Sequence, residues 1–140
     1  MDTEVRPPAD SQPVWGLPAA MLVAGLTTAV IAVPYWSVSY DSVRDDGIFA
    51  WFWLVELVVL LGTTLAGAVS HAPLAAVMAL MLACVPIAVV GRVVIDTASD
   101  PTSHNLWPLE VVLAIFMTLP PICVGGLLAW AIRRASPGPG

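Results

Sequence analysis

Four long apolar blocks separated by short polar segments constrain what this sequence can fold into, and they run from about 17–36, 48–69, 73–95 and 106–132. A helix of about 20 residues, at about 1.5 Å per residue, covers the 30 Å thickness of a hydrocarbon core. Because lipid offers no partners to backbone N–H and C=O groups, a chain that crosses it in single segments does so as helices. The pattern predicts an all-α integral membrane bundle of four transmembrane helices.

The composition agrees with a membrane protein and excludes several other classes. Hydrophobic residues make up 59% of the 140 residues and charged residues 11%, whereas soluble domains carry about 25% charged residues. Ten acidic residues stand against five basic ones, which argues against nucleic acid as a partner. All five basic residues are arginines, and Ala, Val, Leu, Pro and Gly abound. We interpret this as the codon bias of a high-GC bacterial genome, so we expect a bacterial cell-membrane protein.

The two ends of the sequence are unlike the apolar blocks. Residues 1–16 contain several prolines and three acidic residues but few large apolar groups, so they are predicted to be a disordered cytoplasmic tail. Residues 17–134 form the transmembrane domain, and 135–140 form a short second tail. The first apolar block is longer than the 7–15 residues of a signal-peptide core, so we expect it to be retained as a span.

The arginines near the ends of the blocks predict the orientation. Arg6, Arg133 and Arg134 fall on one side of the membrane, and Arg44 and Arg92 fall on the other. Since arginine and lysine accumulate on the cytoplasmic side, both termini are predicted to be cytoplasmic, on a margin of three arginines against two.

Prolines predict irregularities in two of the helices. Pro86 lies inside the third block, where a missing N–H should kink the helix. Pro120 and Pro121 lie inside the fourth block, and Gly125 and Gly126 follow them, so that helix is expected to be kinked or broken. The connection at 70–73 is very short, which predicts an antiparallel hairpin of the second and third helices.

Glu56 is the most informative side chain because it lies about eight residues into the second block, roughly 12 Å below the surface. An acidic residue at the membrane centre costs about 2.5–3.5 kcal/mol. It is therefore either a proton- or cation-binding site, or a neutral acid that bonds to another helix or a second subunit. Thr27, Thr28 and Thr118 lie at similar depth and could supply the hydrogen bond.

Arg92 and Glu110 form a possible structural ion pair. Each was placed about three residues inside the outer end of its block, which would put both charges at one depth. The alternative is that each side chain extends outward to the interface.

Metal and cofactor sites have little support. Asp96, Asp100 and His104 recur every four residues, but Pro101 interrupts the helix that would align them. We therefore expect no metal site and no cofactor. Cys84 and Cys123 lie inside apolar blocks without a metal-binding spacing and are interpreted as packing residues.

Small residues recur at four-residue spacing and would allow close approach of helix backbones. The pairs are Gly25/Ala29, Gly62/Ala66, Thr63/Gly67 and Gly125/Ala129.

These features favour a small, non-enzymatic accessory or interaction protein, because short loops and the lack of a nucleophile–base pair or phosphate-binding loop leave no catalytic motif. The expected partners are the lipid bilayer and other membrane proteins or a second copy of the chain. The alternative is a small proton- or cation-coupled transporter or channel that uses Glu56.

Overall fold

The computed structural model describes residues 16–37, 48–102 and 106–136. Within these ranges the chain forms five α-helices and no strand. They are α1 (Gly16–Ser37), α2 (Ile48–Val69), α3 (Leu74–Leu82), α4 (Cys84–Ser99) and α5 (Trp107–Ala135). Helices α3 and α4 together make one span, so the structure confirms four helical segments long and apolar enough to cross a membrane.

Parts of the sequence that carried predictions lie outside the described residues. These are the tail before Gly16, most of the first polar loop and His104. Gly16 itself begins α1 and is buried, and α5 continues three residues beyond the predicted end of the fourth block.

The third span is interrupted at Ala83, as Pro86 predicted. Proline has no N–H, so the carbonyl of Leu82 loses its helical donor. The N–H of Ala83 bonds to the carbonyl of Leu80 at 3.2 Å, a tighter three-residue turn, and the N–H of Ile87 bonds to the carbonyl of Ala83 at 3.0 Å. The interruption separates α3 from α4 without ending the span.

The fourth span is one continuous helix through Pro120 and Pro121. The broken form of this helix, one of the two alternatives, is therefore wrong. Its 29 residues correspond to about 44 Å of helix, longer than the hydrocarbon core requires, so the helix has length to spare for tilting or for reaching beyond the lipid.

The spans form a ring in which α2 packs most extensively against α5, and α1 packs against both α2 and α4. Helix α2 also packs against α3, but within the described residues it makes no comparable contact with α4. The third span therefore packs against α2 before Ala83 and lies apart from α2 after it. This divergence opens the half of the bundle that holds Glu56.

The hairpin end of the bundle, defined by Gly16, the connection 70–73 and Arg133, is tightly joined. The Nε of Arg133 donates to the carbonyl of Gly67 at 2.6 Å, and its Nη2 donates to the carbonyls of Ser70 and Ala72 at 2.7 and 3.0 Å. The last carbonyls of a helix lack partners within the helix, so Arg133 completes the end of α2. A Cβ on Gly16 would lie 2.7 Å from the backbone nitrogen of Ala72, which shows how closely α1 approaches the connection.

Three of the four small-residue pairs pack inside the bundle. Gly62/Ala66, Thr63/Gly67 and Gly125/Ala129 are buried, and a Cβ on Gly125 would lie 2.8 Å from the carbonyl oxygen of Leu60. Gly25 and Ala29 are exposed, and nothing lies within 4 Å of a Cβ built on Gly25. The spacing therefore predicted close helix packing correctly at three sites but could not say which face of α1 points inward.

Candidate functional site

We define the loop end of the bundle by Tyr35, Trp51, Arg92 and Glu110. A cavity of about 480 Å³ lies at this end. All four spans contribute to its wall, and α2 and α4 face each other across it. Ligand pockets usually measure about 300–1,000 Å³. The cavity is therefore large enough for a small organic molecule.

The fourth span lines the cavity with one face. Glu110, Leu113, Ala114, Met117 and Thr118 are wall residues, and their spacing of three and four residues places them along one side of a helix. Eight residues separate Glu110 from Thr118, so the wall runs for about 12 Å along α5.

The second span contributes an aromatic and acidic face. The residues of α2 that line the cavity are Trp51, Phe52, Val55 and Glu56. Their spacing of three and four residues again places them along one side of a helix. Glu56 lies eight residues after the start of α2, as the sequence indicated. Among the described residues, the Glu56 carboxyl has no hydrogen bond or ion pair.

Arg92 enters the wall from α4 and bonds both to its own helix and to α1. Its Nε donates to Asp96 Oδ2 at 2.6 Å, and its Nη1 donates to the carbonyl of Tyr35 at 2.9 Å. The Tyr35 ring lies beneath the guanidinium, 5.8 Å from Cζ to the ring centroid, and meets Trp51 edge to face at 6.4 Å. Arg92 therefore joins α1 to α4 at the margin of the cavity.

The Arg92–Asp96 pair corrects the sequence analysis. The third block was expected to end at Ile95 and Asp96 to begin a loop, but α4 continues to Ser99. Asp96 is thus one helical turn after Arg92, where opposite charges attract each other. The four-residue spacing was the signal that could have identified this pair, and the predicted boundary concealed it.

Trp36 fixes the neighbouring part of α1 against α4. Its Nε1 donates to the carbonyl of Ala88 at 2.9 Å, and its ring lies so close to Gly91 that a Cβ there would overlap it. The sequence pattern did not indicate a contact between Trp36 and Gly91. A tryptophan near a helix end is typical of a membrane interface, so its position in the sequence does not indicate a hydrogen bond to another helix.

The structure brings Glu56, Arg92 and Glu110 to the wall of the same cavity. Thr118 also lines it, but its hydroxyl donates to the carbonyl of Ala114 within α5. Thr28 donates to the carbonyl of Ala24 at 2.9 Å, one turn earlier in α1. The predicted pair of Arg92 with Glu110 stays a prediction.

Thr27, the third threonine considered for Glu56, is buried where α1 meets α2. A Cβ built on Gly62 would overlap its hydroxyl. The close approach of the two helices at Gly62 therefore places Thr27 in the packed part of the bundle.

The possible metal ligands of the second polar loop have other contacts where the structure describes them. Asp96 pairs with Arg92, and Asp100 accepts from the N–H and hydroxyl of Thr102 at 2.9 and 2.8 Å. The backbone N–H of Thr102, together with its hydroxyl, holds the pKa of Asp100 below its usual value. No group of three metal-binding side chains occurs among residues 16–37, 48–102 and 106–136.

The two cysteines differ in their surroundings. Cys84 is buried, with its Sγ 3.5 Å from the carbonyl oxygen of Ala24 and 3.8 Å from that of Leu80. Cys123 is exposed on the bundle surface. Cys84 therefore packs α1 against the start of α4, while Cys123 lies away from the core.

No protein-family model matches this sequence, and neither the curated proteins nor the solved structures contain a match to it. A carboxylate beside aromatic rings, in a cavity surrounded by membrane-spanning helices, can attract a cation more strongly than it could in water.

Proposed function

We propose that this chain is a small, non-enzymatic, multi-pass membrane protein that binds a cation or a proton at Glu56, inside the loop-end cavity. The supporting observation is that the Glu56 carboxyl lies on the wall of a 480 Å³ cavity and has no bonding partner among the described residues. A purely structural acid in a membrane is expected to bond to another helix. Glu56 instead faces space that a ligand could occupy.

The closed hairpin end suggests how such a site would work. Arg133 and the buried glycines join the helices there, whereas the cavity lies in the other half of the bundle. Transport would require a second conformation that opens the hairpin end, so binding is the first activity to measure.

The test uses purified protein in liposomes, with proton and alkali-cation uptake measured for the wild type, Glu56→Gln and Asp100→Asn. Asp100 is an exposed acid outside the cavity, which makes it a matched control for the loss of one carboxylate. We expect uptake to be lost only in Glu56→Gln, and we expect the cation to protect Glu56 from carbodiimide in both the wild type and Asp100→Asn. No uptake and no protection in the wild type would contradict the proposal.

A second candidate is the accessory or interaction protein that the sequence favoured. It is supported by Gly25, which is exposed with open space around it, and by Ala29 one turn further along α1. Small residues at this spacing allow another helix to approach. If a helix of another protein or of a second copy packs there, Gly25→Leu should reduce the mass of the complex in mild detergent, whereas Leu22→Ile should not.

We also propose that the protein resides in the cell membrane of a bacterium with both termini in the cytoplasm. The arginine distribution supports this orientation, and Arg133 and Arg134 lie in the last turn of α5, at the hairpin end. In a background with both cysteines replaced by alanine, a cysteine at Ser42 should react with an impermeant maleimide added outside intact cells. Labelling only after the cells are opened would reverse the orientation.

A further inference from the structure

We infer that the cation bound in the loop-end cavity is an organic ammonium ion with an apolar body, rather than an inorganic ion. This inference depends on the proposed binding function of Glu56 and specifies its ligand. Three properties of the cavity carry it: its size, the chemistry of its wall and its charge.

The cavity is larger than an inorganic cation would fill. One water molecule occupies about 30 Å³ of liquid, so a bare or partly hydrated ion would fill only a small part of the 480 Å³. The wall also extends for about 12 Å along α5, from Glu110 to Thr118. An elongated ligand with a polar head and an apolar body matches this length.

The part of the wall that the structure describes has few oxygen atoms for a metal ion. Hard cations such as Ca²⁺ take 6–8 oxygen ligands, and Mg²⁺ demands near-octahedral oxygen ligation. Among the described residues, the carboxyls on the wall are those of Glu56 and Glu110, and most of the other wall residues are aliphatic or aromatic. An ammonium group has at most three N–H donors and can be satisfied by fewer acceptors.

The aromatic residues favour a cation that carries its own apolar surface. Tyr35, Trp51 and Phe52 line the same cavity as Glu56, and aromatic faces attract organic ammonium groups. Val55, Val85 and Met117 supply apolar contacts for the rest of the molecule. The same wall would leave an inorganic ion poorly solvated.

The charge distribution disfavours an anion. Arg92 is the basic residue on the described wall. Its Nε lies 2.6 Å from Asp96 Oδ2, and the side chain of Arg92 is only 8% exposed. The positive charge of Arg92 is thus matched by a carboxylate of its own helix. An anionic ligand would face Glu56 and Glu110 without a comparable attraction.

The experiment measures binding of 4-phenylbutylamine, which is a cation at pH 7, to the full chain in lipid nanodiscs by isothermal titration calorimetry. Its neutral analogue 4-phenylbutanol and the inorganic ions Na⁺ and K⁺ are titrated in parallel, and empty nanodiscs provide the background. We expect the amine to bind at least about tenfold more tightly than the alcohol, since a charge-assisted hydrogen bond is lost in the alcohol. Glu56→Gln should reduce amine affinity by a similar factor, and Asp100→Asn should leave it unchanged.

The outcomes separate this inference from the proposed function. Equal binding of amine and alcohol, or unchanged amine binding in Glu56→Gln, would overturn the organic-ammonium inference. If Na⁺, K⁺ or protons bind in a Glu56-dependent way and the amine does not, the inference fails while the proposed function stands. If no cation binds to the wild type, both fail. A circular dichroism spectrum like that of the wild type, recorded for Glu56→Gln, ensures that lost binding is not lost folding.

Discussion

The two ends of this bundle are built from the same apolar helices but reach different arrangements. At the hairpin end, backbone meets backbone through small residues, and the guanidinium of Arg133 bonds to three carbonyls. At the loop end, large aromatic and charged side chains surround a 480 Å³ cavity. Close packing stabilises a membrane bundle through many small contacts, whereas a cavity forfeits such contacts.

The difference indicates that packing and binding are separated along the membrane normal. The hairpin end holds the four spans together, and the loop end retains open space and the costly carboxyl of Glu56. Ala83 and Pro86 lie between the two, where the third span stops following α2. A bundle organised in this way can tolerate a binding site because its other half provides the stability.

The largest effect is expected for Arg133→Gln, which removes the charged donor from the carbonyls of Gly67, Ser70 and Ala72. Hydrogen bonds to charged groups each contribute about 1.5–3 kcal/mol in water-soluble proteins, and less on average in membranes. Because Arg133 is partly exposed, we expect a loss of about 2–4 kcal/mol in the free energy of unfolding. Titration with sodium dodecyl sulfate, followed by circular dichroism, measures it.

Arg134→Gln is the matched control for this prediction. Arg134 is exposed, and its Cζ lies 4.0 Å from the centroid of the Trp130 ring. An exposed cation–π contact contributes about 0.5–1 kcal/mol. Equal losses in the two variants would mean that Arg133 does not hold the hairpin end.

The second largest effect should come from Gly125→Ala. Its new Cβ would lie 2.8 Å from the carbonyl oxygen of Leu60 and from Cβ of Thr63, so α2 and α5 would have to separate. Overpacking of this kind costs about 1–3 kcal/mol. Gly25→Ala, which meets open space, should be neutral or slightly stabilising by the same detergent titration. Equal destabilisation by both substitutions would contradict the tight contact between the helices.

A smaller effect is expected at the loop end, where Arg92 and Asp96 form an ion pair. A double-mutant cycle with Arg92→Gln and Asp96→Asn should give a coupling of about 1–2 kcal/mol, since Arg92 is buried but Asp96 is partly exposed. The parallel cycle with Glu110→Gln tests the ion pair predicted from the sequence. Coupling below about 0.3 kcal/mol in that cycle, within the usual additivity error, would exclude an Arg92–Glu110 pair.

The smallest expected change has the opposite sign. Glu56→Gln removes an ionisable group from the membrane interior, so we expect the free energy of unfolding to be unchanged or to rise by up to about 1 kcal/mol. A loss of more than about 1 kcal/mol would indicate that Glu56 serves as a structural hydrogen-bonding group. Comparing this value with that of Arg133→Gln gives the sharpest measure of the difference between the two ends.

The candidate site was partly predictable. Glu56, Arg92 and Glu110 stood out because charged groups are rare and costly in apolar blocks, and all three line the cavity. Trp51 and Phe52 also line the cavity, but aromatic residues near the start of an apolar block are typical of the membrane interface and do not indicate a site. Their inclusion depends on the direction in which each side chain points, and an apolar sequence contains little periodicity that would indicate it.

The sequence by itself determined that this protein has four helical spans, because length and hydropathy alone decide which segments lipid can accommodate. Pro86 correctly marked the interruption of the third span, but Pro120 and Pro121 leave the fourth span continuous, so a missing N–H alone did not determine where a helix is interrupted. Only the tertiary structure decided that α4 diverges from α2 to leave a cavity, that α4 continues past Asp96 and so pairs it with Arg92, and that Arg133 completes the end of α2. These features depend on how the spans are arranged around one another, and helices that are apolar on every side can pack in many ways.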